Sequence, residues 1–277
     1  MTDLGASPLG HATTYADGYD ATLLFPVDRA PLRAGLGLAF PLPFHGADRW
    51  TAYEMSWLDP AGKPQVAIAT FAIPAESPRI VESKSVKLYL TAFNQTRFAA
   101  AAAVAATIER DLGAAAGAAI GVALFPPEHL AMLPQGELAG ECIDALPLAG
   151  AGAGAGDAPA PELLAAGGPI VGEALCSRLF RSVCPVTGQP DYASVQVRYR
   201  GPRIDAAGLL AYLVSFRRHP GFHEHCVERI FSDVWRRCAP EALSVYARFT
   251  RRGGLDINPW RASGGELPPD NMRTARQ

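Results

Sequence analysis

The sequence predicts an α+β protein of two tandem modules, each an antiparallel sheet backed by a helix pair. Three observations carry this. The order strand, strand, helix, helix, strand occurs twice along the 277 residues. A run of alanine, glycine and proline from Ala149 to Pro161 separates the two occurrences. And Lys87-Leu88-Tyr89-Leu90-Thr91-Ala92-Phe93 in the first is echoed by Leu210-Ala211-Tyr212-Leu213-Val214-Ser215-Phe216 in the second, as an internal duplication would leave it.

In the first module, Trp50 to Leu58 and Gln65 to Ile73 read as strands. The turn formers Pro60-Ala61-Gly62-Lys63-Pro64 between them make a hairpin. Val81 to Phe93 and the alanine-rich Phe98 to Leu112 read as helices joined by Asn94 to Arg97. Ala118 to Phe125 is a short apolar strand, stopped by Pro126 and Pro127. The run from Ala149 to Pro161 cannot bury a core and reads as a flexible linker. The expected modules are therefore residues 1–148 and 162–277.

In the second module, Arg178 to Val183 is a strand candidate. Ser194 to Tyr199 alternates, with Val195, Val197 and Tyr199 on one face. Asp205 to Arg218 reads as a helix that Asp205 can cap. His223 to Arg237 is a helix with Cys226, Ile230 and Val234 on its apolar stripe and Phe231 at its flank. Leu243 to Thr250 closes the module as a strand.

Composition narrows the function. Hydrophobic residues at 49% and charged residues at 19% describe a globular chain, not a disordered one. A formal net charge of -2 gives no electrostatic reason for a nucleic-acid partner. The longest apolar run, around Phe98 to Ile108, falls short of the ~20 residues a membrane span needs, and Met1 to Tyr15 lacks the pattern of a signal peptide. Five cysteines, Cys142, Cys176, Cys184, Cys226 and Cys238, are an odd and irregular set. That fits a reducing cytoplasm better than a disulfide framework.

Four clusters can carry chemistry. Cys184-Pro185-Val186-Thr187-Gly188-Gln189-Pro190-Asp191 is a turn-rich loop between two strand candidates. A thiol there can reach solvent and substrate. Asp191 can fold back toward it, placing a nucleophile and a proton donor in one loop. An ordinary buried cysteine with a turn aspartate is the plainer alternative. Phe222-His223-Glu224-His225-Cys226 opens a helix, where both His223 and Glu224 can line a pocket; a solvated first turn is equally open. Glu82-Ser83-Lys84-Ser85-Val86-Lys87 lies where a strand meets a helix. Two hydroxyls and a lysine there can hold a phosphate, and Glu82 can accept hydrogen bonds from a heterocycle; a helix cap with a solvated lysine is the plainer alternative. Arg251-Arg252-Gly253-Gly254 sets cations beside a backbone that a phosphate-bearing ligand can approach. No G-x-G-x-x-G fingerprint stands between a strand and a helix, so nicotinamide binding would need another fold. Zinc at Cys184, His223 and Cys226 is not expected, because structural zinc ligands usually come in close pairs.

As a set, these clusters resemble the NADPH-dependent 7-cyano-7-deazaguanine reductases of queuosine biosynthesis, in their long, two-module form. The resemblance runs from about Asp17 to Ala262. It implies two tunnelling-fold (T-fold) modules with the active site formed where modules meet, no zinc, and a homodimer. It implies reduction of a nitrile to a primary amine with two NADPH. The implied roles are Cys184 as the nucleophile that gives a covalent thioimide, and Asp191 as the proton-handling group. Val81, Glu82, Ser83, His223 and Glu224 would bind substrate, and Ser83, Lys84, Arg252 and Gly253 would bind NADPH. Tyr192 stands where the family often has tryptophan, which changes packing and not the nucleophile. A zinc cyclohydrolase-like purine enzyme and a purine-binding protein without activity are the competing readings.

Overall fold

The structure is a computed structural model and describes residues 18–132, 135–148 and 158–277. Most of the expected linker, residues 149–157, lies outside the described residues. The chain divides into two compact units. Unit 1 takes the described residues of Met1–Gly37, Ala47–Pro134 and Arg251–Ile257; unit 2 takes those of Leu38–Gly46, Gln135–Thr250 and Asn258–Gln277.

The elements follow in chain order. They are β1 (Pro26–Asp28), α1 (Arg29–Ala34), β2 (His45–Leu58), β3 (Pro64–Pro74), β4 (Arg79–Val81), α2 (Ser83–Thr91), α3 (Ala101–Ala116) and β5 (Val122–Phe125). Then come β6 (Glu141–Cys142), β7 (Ala166–Val183), β8 (Pro190–Ile204), α4 (Ala206–Ser215), α5 (His223–Cys238), β9 (Ala242–Phe249) and β10 (Leu255–Ala262).

In unit 1, β3 pairs antiparallel with β2, Phe71 opposite Trp50, and with β5, Phe71 opposite Val122. Alternation along β3 sends Ala67, Ala69, Phe71 and Ile73 into the core. Helix α3 meets them with Val104, Ile108, Leu112 and Ala116, all fully buried at four-residue spacing. Burying Ile108 or Leu112 stabilises the unit by roughly 1.5–3 kcal/mol each. Helix α2 adds Tyr89, the turn after it adds Phe93, and Trp50 stacks on Phe71 at 5.5 Å.

In unit 2 the strand order is β10-β9-β8-β7-β6. The β7–β8 and β8–β9 pairs are antiparallel, while the two-residue β6 joins β7 in parallel. Val195, Val197 and Tyr199 are buried as their alternation requires. Helix α5 buries Cys226, Val227, Ile230, Phe231 and Val234 completely. Helix α4 is capped as expected, the Asp205 carboxylate accepting from the amides of Ala207 and Gly208 at 3.3 and 3.2 Å.

The duplicated heptapeptide has a structural counterpart. Tyr89 on α2 donates from its hydroxyl to Asp111 Oδ2 on α3 at 2.7 Å. Tyr212 on α4 donates to Asp233 Oδ2 on α5, also at 2.7 Å.

Several boundaries differ from expectation. Val81 ends a strand instead of opening a helix, because Glu82 caps α2 and the helix begins at Ser83. Strand β5 keeps only the last four residues of its expected segment. Strand β7 starts at Ala166, twelve residues early, in a glycine-containing stretch with register shifts at Gly167/Ile170 and Ser177/Phe180 that hide its period. Strand β10 was not expected. Pro259 lies inside it, and an internal proline reads as evidence against a strand.

Candidate active site

In unit 2 the site is built on the β7–β8 hairpin. The loop closes on itself: the Cys184 amide donates to the Gln189 carbonyl at 2.8 Å, and the Gly188 amide to the Cys184 carbonyl at 2.9 Å. Gly188 has φ +68°, a backbone conformation that glycine adopts without strain. Asp191 follows as the second residue of β8, opposite Ser182. The chain ahead of α5 is tied to the same strand end. The Val183 amide donates to the His219 carbonyl, and the Gly221 amide to the Val183 carbonyl, both at 3.0 Å. These two bonds hold the first turn of α5 beside the residue that precedes Cys184.

That turn delivers His223 and Glu224. The His223 ring stacks face to face on Phe249 of β9, with centroids 3.8 Å apart and planes 8° from parallel. Its Nε2 lies 3.5 Å from Asp191 Oδ2, and its Nδ1 is buried with no hydrogen-bond partner among the described residues. Asp191 and Glu224 are buried. Cys184 is only 7% exposed, so the loop thiol is more enclosed than the sequence suggested. Reactive thiols are usually partly exposed, so this enclosure departs from the expected reach to solvent.

The second thiol of this region is of a different kind. Cys226 is fully buried, and burial pushes its thiol up to about 12. It stays protonated at neutral pH and is unsuited to nucleophilic work. Cys238 is likewise pushed up to about 11 by burial.

Unit 1 holds the other expected residues. Glu82 is buried, and its amide donates to the Phe25 carbonyl at 2.9 Å. Its carboxylate accepts from the amides of Lys84 at 2.7 Å and Ser85 at 2.8 Å, and from the Ser83 hydroxyl at 3.3 Å. The capping alternative is therefore realised in full. It also means that the amides at the start of α2 are engaged by Glu82, so the expected phosphate cradle there must come from side chains. Val81 is buried at the end of β4.

The Arg252 turn is closed by Arg252 N to Leu255 O at 2.8 Å and Leu255 N to Arg252 O at 3.2 Å, with Gly253 at φ +58° and Gly254 at φ +83°. A Cβ on Gly253 would collide with Nζ of Lys87. Lys87, one turn beyond Ser83 and Lys84 on α2, thus lies against the glycine turn. It was not among the expected binding residues, although its spacing from Ser83 and Lys84 could have found it. The Arg251 guanidinium lies over the Tyr53 ring at 5.2 Å. A lysine and two arginines at a glycine turn fit a phosphate-bearing ligand.

Among the described residues, no group of three or more His, Cys, Asp or Glu side chains is arranged to hold a metal ion. No helix among them is long and apolar enough to cross a membrane.

An enclosed loop thiol on an α+β scaffold, with a carboxylate and an imidazole beside its strand end, has the groups that nucleophilic cysteine chemistry calls for. The family model described as nitrile reductase, 7-cyano-7-deazaguanine-reductase N-term, matches residues 15–124, and the model for QueF-like protein matches residues 190–267. The chain is 56% identical over 275 residues to the NADPH-dependent 7-cyano-7-deazaguanine reductase of Bordetella pertussis, covering 99% of each protein. The protein of that name from Chromobacterium violaceum is 56% identical over 273 residues, covering 98% of this chain and 96% of the relative. The chain belongs to the 7-cyano-7-deazaguanine reductase family, and its antiparallel sheets and paired helices agree with the two tandem modules expected from the resemblance.

Proposed function

We propose that the chain reduces the nitrile of 7-cyano-7-deazaguanine to an aminomethyl group with two NADPH, forming a precursor of queuosine. The observation that carries this reading is the fixing of His223 3.5 Å from the buried Asp191 at the hairpin that presents Cys184.

A nitrile is a poor hydride acceptor. Bonding of Cys184 Sγ to the nitrile carbon, with a proton passed to the nitrogen, gives a thioimide, whose C=N bond accepts hydride far more readily. Asp191 handles that proton, and His223 holds the carboxyl group in place and assists the transfer. When bound, NADPH supplies hydride at two points, once to the thioimide carbon and once to the imine left when the Cys184 thiolate departs. Each of the two reductions takes up one hydride and one proton, which balances the conversion of nitrile to amine. The low exposure of Cys184 and Asp191 supports exclusion of water, which would hydrolyse the imine.

Glu82 and Glu224 accept hydrogen bonds from the guanine-like edge, and Val81 and Ser83 contact the substrate. Ser83, Lys84, Arg252 and Gly253, with Lys87, hold the cofactor phosphates. We further propose modules spanning 1–148 and 162–277, whose junction falls between the two family matches, with residues 38–46 and 251–257 exchanged between the compact units. A homodimer follows from the resemblance, and the free cysteines support a cytoplasmic setting. The net charge of -2 supports a small-molecule substrate and not the tRNA itself.

The test is to mix the protein, NADPH and the cyano-deazaguanine and follow NADPH oxidation. Two NADPH per amine are expected, and none are consumed by Cys184→Ala. Undiminished oxidation by that variant would overturn the mechanism.

A further inference from the structure

The remaining two thiols lie together elsewhere in unit 2. Cys142 on β6 and Cys176 on β7 are directly paired residues of the parallel ladder. Neighbouring strands run about 4.8 Å apart, inside the 4.4–6.8 Å between Cα atoms that a disulfide spans. The two side chains are within hydrogen-bonding reach of each other.

Their surroundings are unequal. Cys142 is exposed, and Nη2 of Arg178 donates to its sulfur at 3.3 Å. Cys176 is half-buried, is pushed up to about 11 chiefly by burial, and donates to the Gly140 carbonyl at 3.8 Å. Both line a cavity of about 180 Å³, together with Arg178, Ser177, Ser194 and Glu137. Arg178 is itself held. Its amide donates to Asp144 Oδ2 at 3.1 Å, its Nε lies 3.6 Å from the same oxygen, and its carbonyl accepts from Arg276 at 2.8 Å. The exposed Cys142 sulfur, contacted by the Arg178 guanidinium, is the one of the pair that a dissolved oxidant can approach. Cys176, directly opposite on the next strand, is placed to condense with the product, its proton leaving with the sulfenic oxygen as water.

We propose that Cys142 and Cys176 form a peroxide-oxidisable dithiol site, with Cys142 the attacking thiol and Cys176 the resolving one. Cys142 sulfur attacks one peroxide oxygen, the O–O bond breaks, and water leaves as Cys142 becomes a sulfenic acid. Cys176 sulfur then displaces the sulfenic oxygen, which leaves as a second water. Two thiols are oxidised by two electrons, and one hydrogen peroxide is reduced to two waters. The disulfide fastens β6, and the chain leading into it, to β7. This site uses no residue assigned to nitrile reduction, so it stands or falls independently of that reading.

The test uses the full chain treated with hydrogen peroxide, followed by alkylation and mass mapping without reductant. A peptide pair joined through Cys142 and Cys176 is expected, reversible by dithiothreitol, with a Tm raised by about 5–10 °C. Cys176→Ser should accumulate sulfenic acid at Cys142, trapped by dimedone. Cys142→Ser should form no disulfide and keep its nitrile-dependent NADPH oxidation. Absence of the joined pair in the wild-type chain, or dimedone labelling of Cys176 in Cys142→Ser at the rate seen for Cys142 in Cys176→Ser, would overturn the proposal.

Discussion

Nε2 of His223 stands 3.5 Å from Oδ2 of Asp191, and Phe249 backs the imidazole face to face. The stack leaves the ring little freedom to leave the carboxylate. Asp191→Asn keeps the shape but cannot release a proton to a nitrile nitrogen. We expect kcat to fall by roughly 10²–10⁴ while KM for the nitrile changes little. Intact-mass analysis should show the Cys184 adduct forming more slowly. Full kcat in this variant would remove Asp191 from proton transfer.

Glu82 is an unusual cap. Serine, threonine, aspartate and asparagine are the residues preferred at this position, yet here a buried glutamate takes the amides of Lys84 and Ser85. A longer carboxylate is expected where it has a second task. Glu82→Ser separates the two roles, because serine can still cap. Thermal stability should stay within about 1 kcal/mol of the parent, while kcat/KM for the nitrile drops by at least tenfold. Parental activity in this variant would reduce Glu82 to a cap.

Gly253 combines a positive φ with contact to Lys87. Gly253→Ala adds a left-handed strain of roughly 1–2 kcal/mol and pushes against Nζ. The expected result is a raised KM for NADPH with KM for the nitrile unchanged. The double variant with Lys87→Ala relieves the collision but also removes a cation, so it should not restore cofactor affinity. Steady-state kinetics in both substrates would decide it.

The Tyr212–Asp233 bond and its counterpart Tyr89–Asp111 show what the sequence could and could not reveal. The two tyrosines fall in the echoed heptapeptide and were legible as a repeat. Their partners lie 22 and 21 residues on, across a helix junction, where no local period points to them. The same limit applies to the site. Cys184, Asp191, His223 and Glu224 stood out by residue type and loop context, and the hairpin register explains why Cys184 and Asp191 fall at one strand end. Lys87 shares a helix face with Ser83 and Lys84, but its contact with Gly253 is set by the fold, and β10 escaped because Pro259 breaks the local strand signal. The Cys142–Cys176 pairing was equally hidden, since it depends on the parallel register of a two-residue strand.

The two tyrosines also differ in how replaceable they are. Asp233 loses its hydroxyl donor in Tyr212→Phe, at a cost of about 1–3 kcal/mol for a buried carboxylate. Asp111 in Tyr89→Phe still accepts from the Tyr19 hydroxyl at 2.6 Å and from Arg110 at 2.9 Å. Chemical denaturation should therefore show the larger loss for Tyr212→Phe. Equal losses would mean that the extra donors to Asp111 contribute nothing.

His219 makes the hairpin sensitive to acid. Its carbonyl holds the Val183 amide next to Cys184, while burial first, and then the Arg229 charge, lower its ring from the usual value of about 6.5 to about 4. Between those values the unfolded chain binds more protons than the folded one, so stability rises with pH. The full contribution is present above about 6.5 and is lost as pH falls toward 4. The shift corresponds to roughly 3 kcal/mol at most, and solvent screening of this partly exposed ring reduces it to about 1–2 kcal/mol. His219→Gln removes the titration and should flatten the stability profile between pH 4 and 6.5. Denaturation midpoints measured across that window test this, and an unchanged slope in the variant would assign the acid sensitivity to other groups.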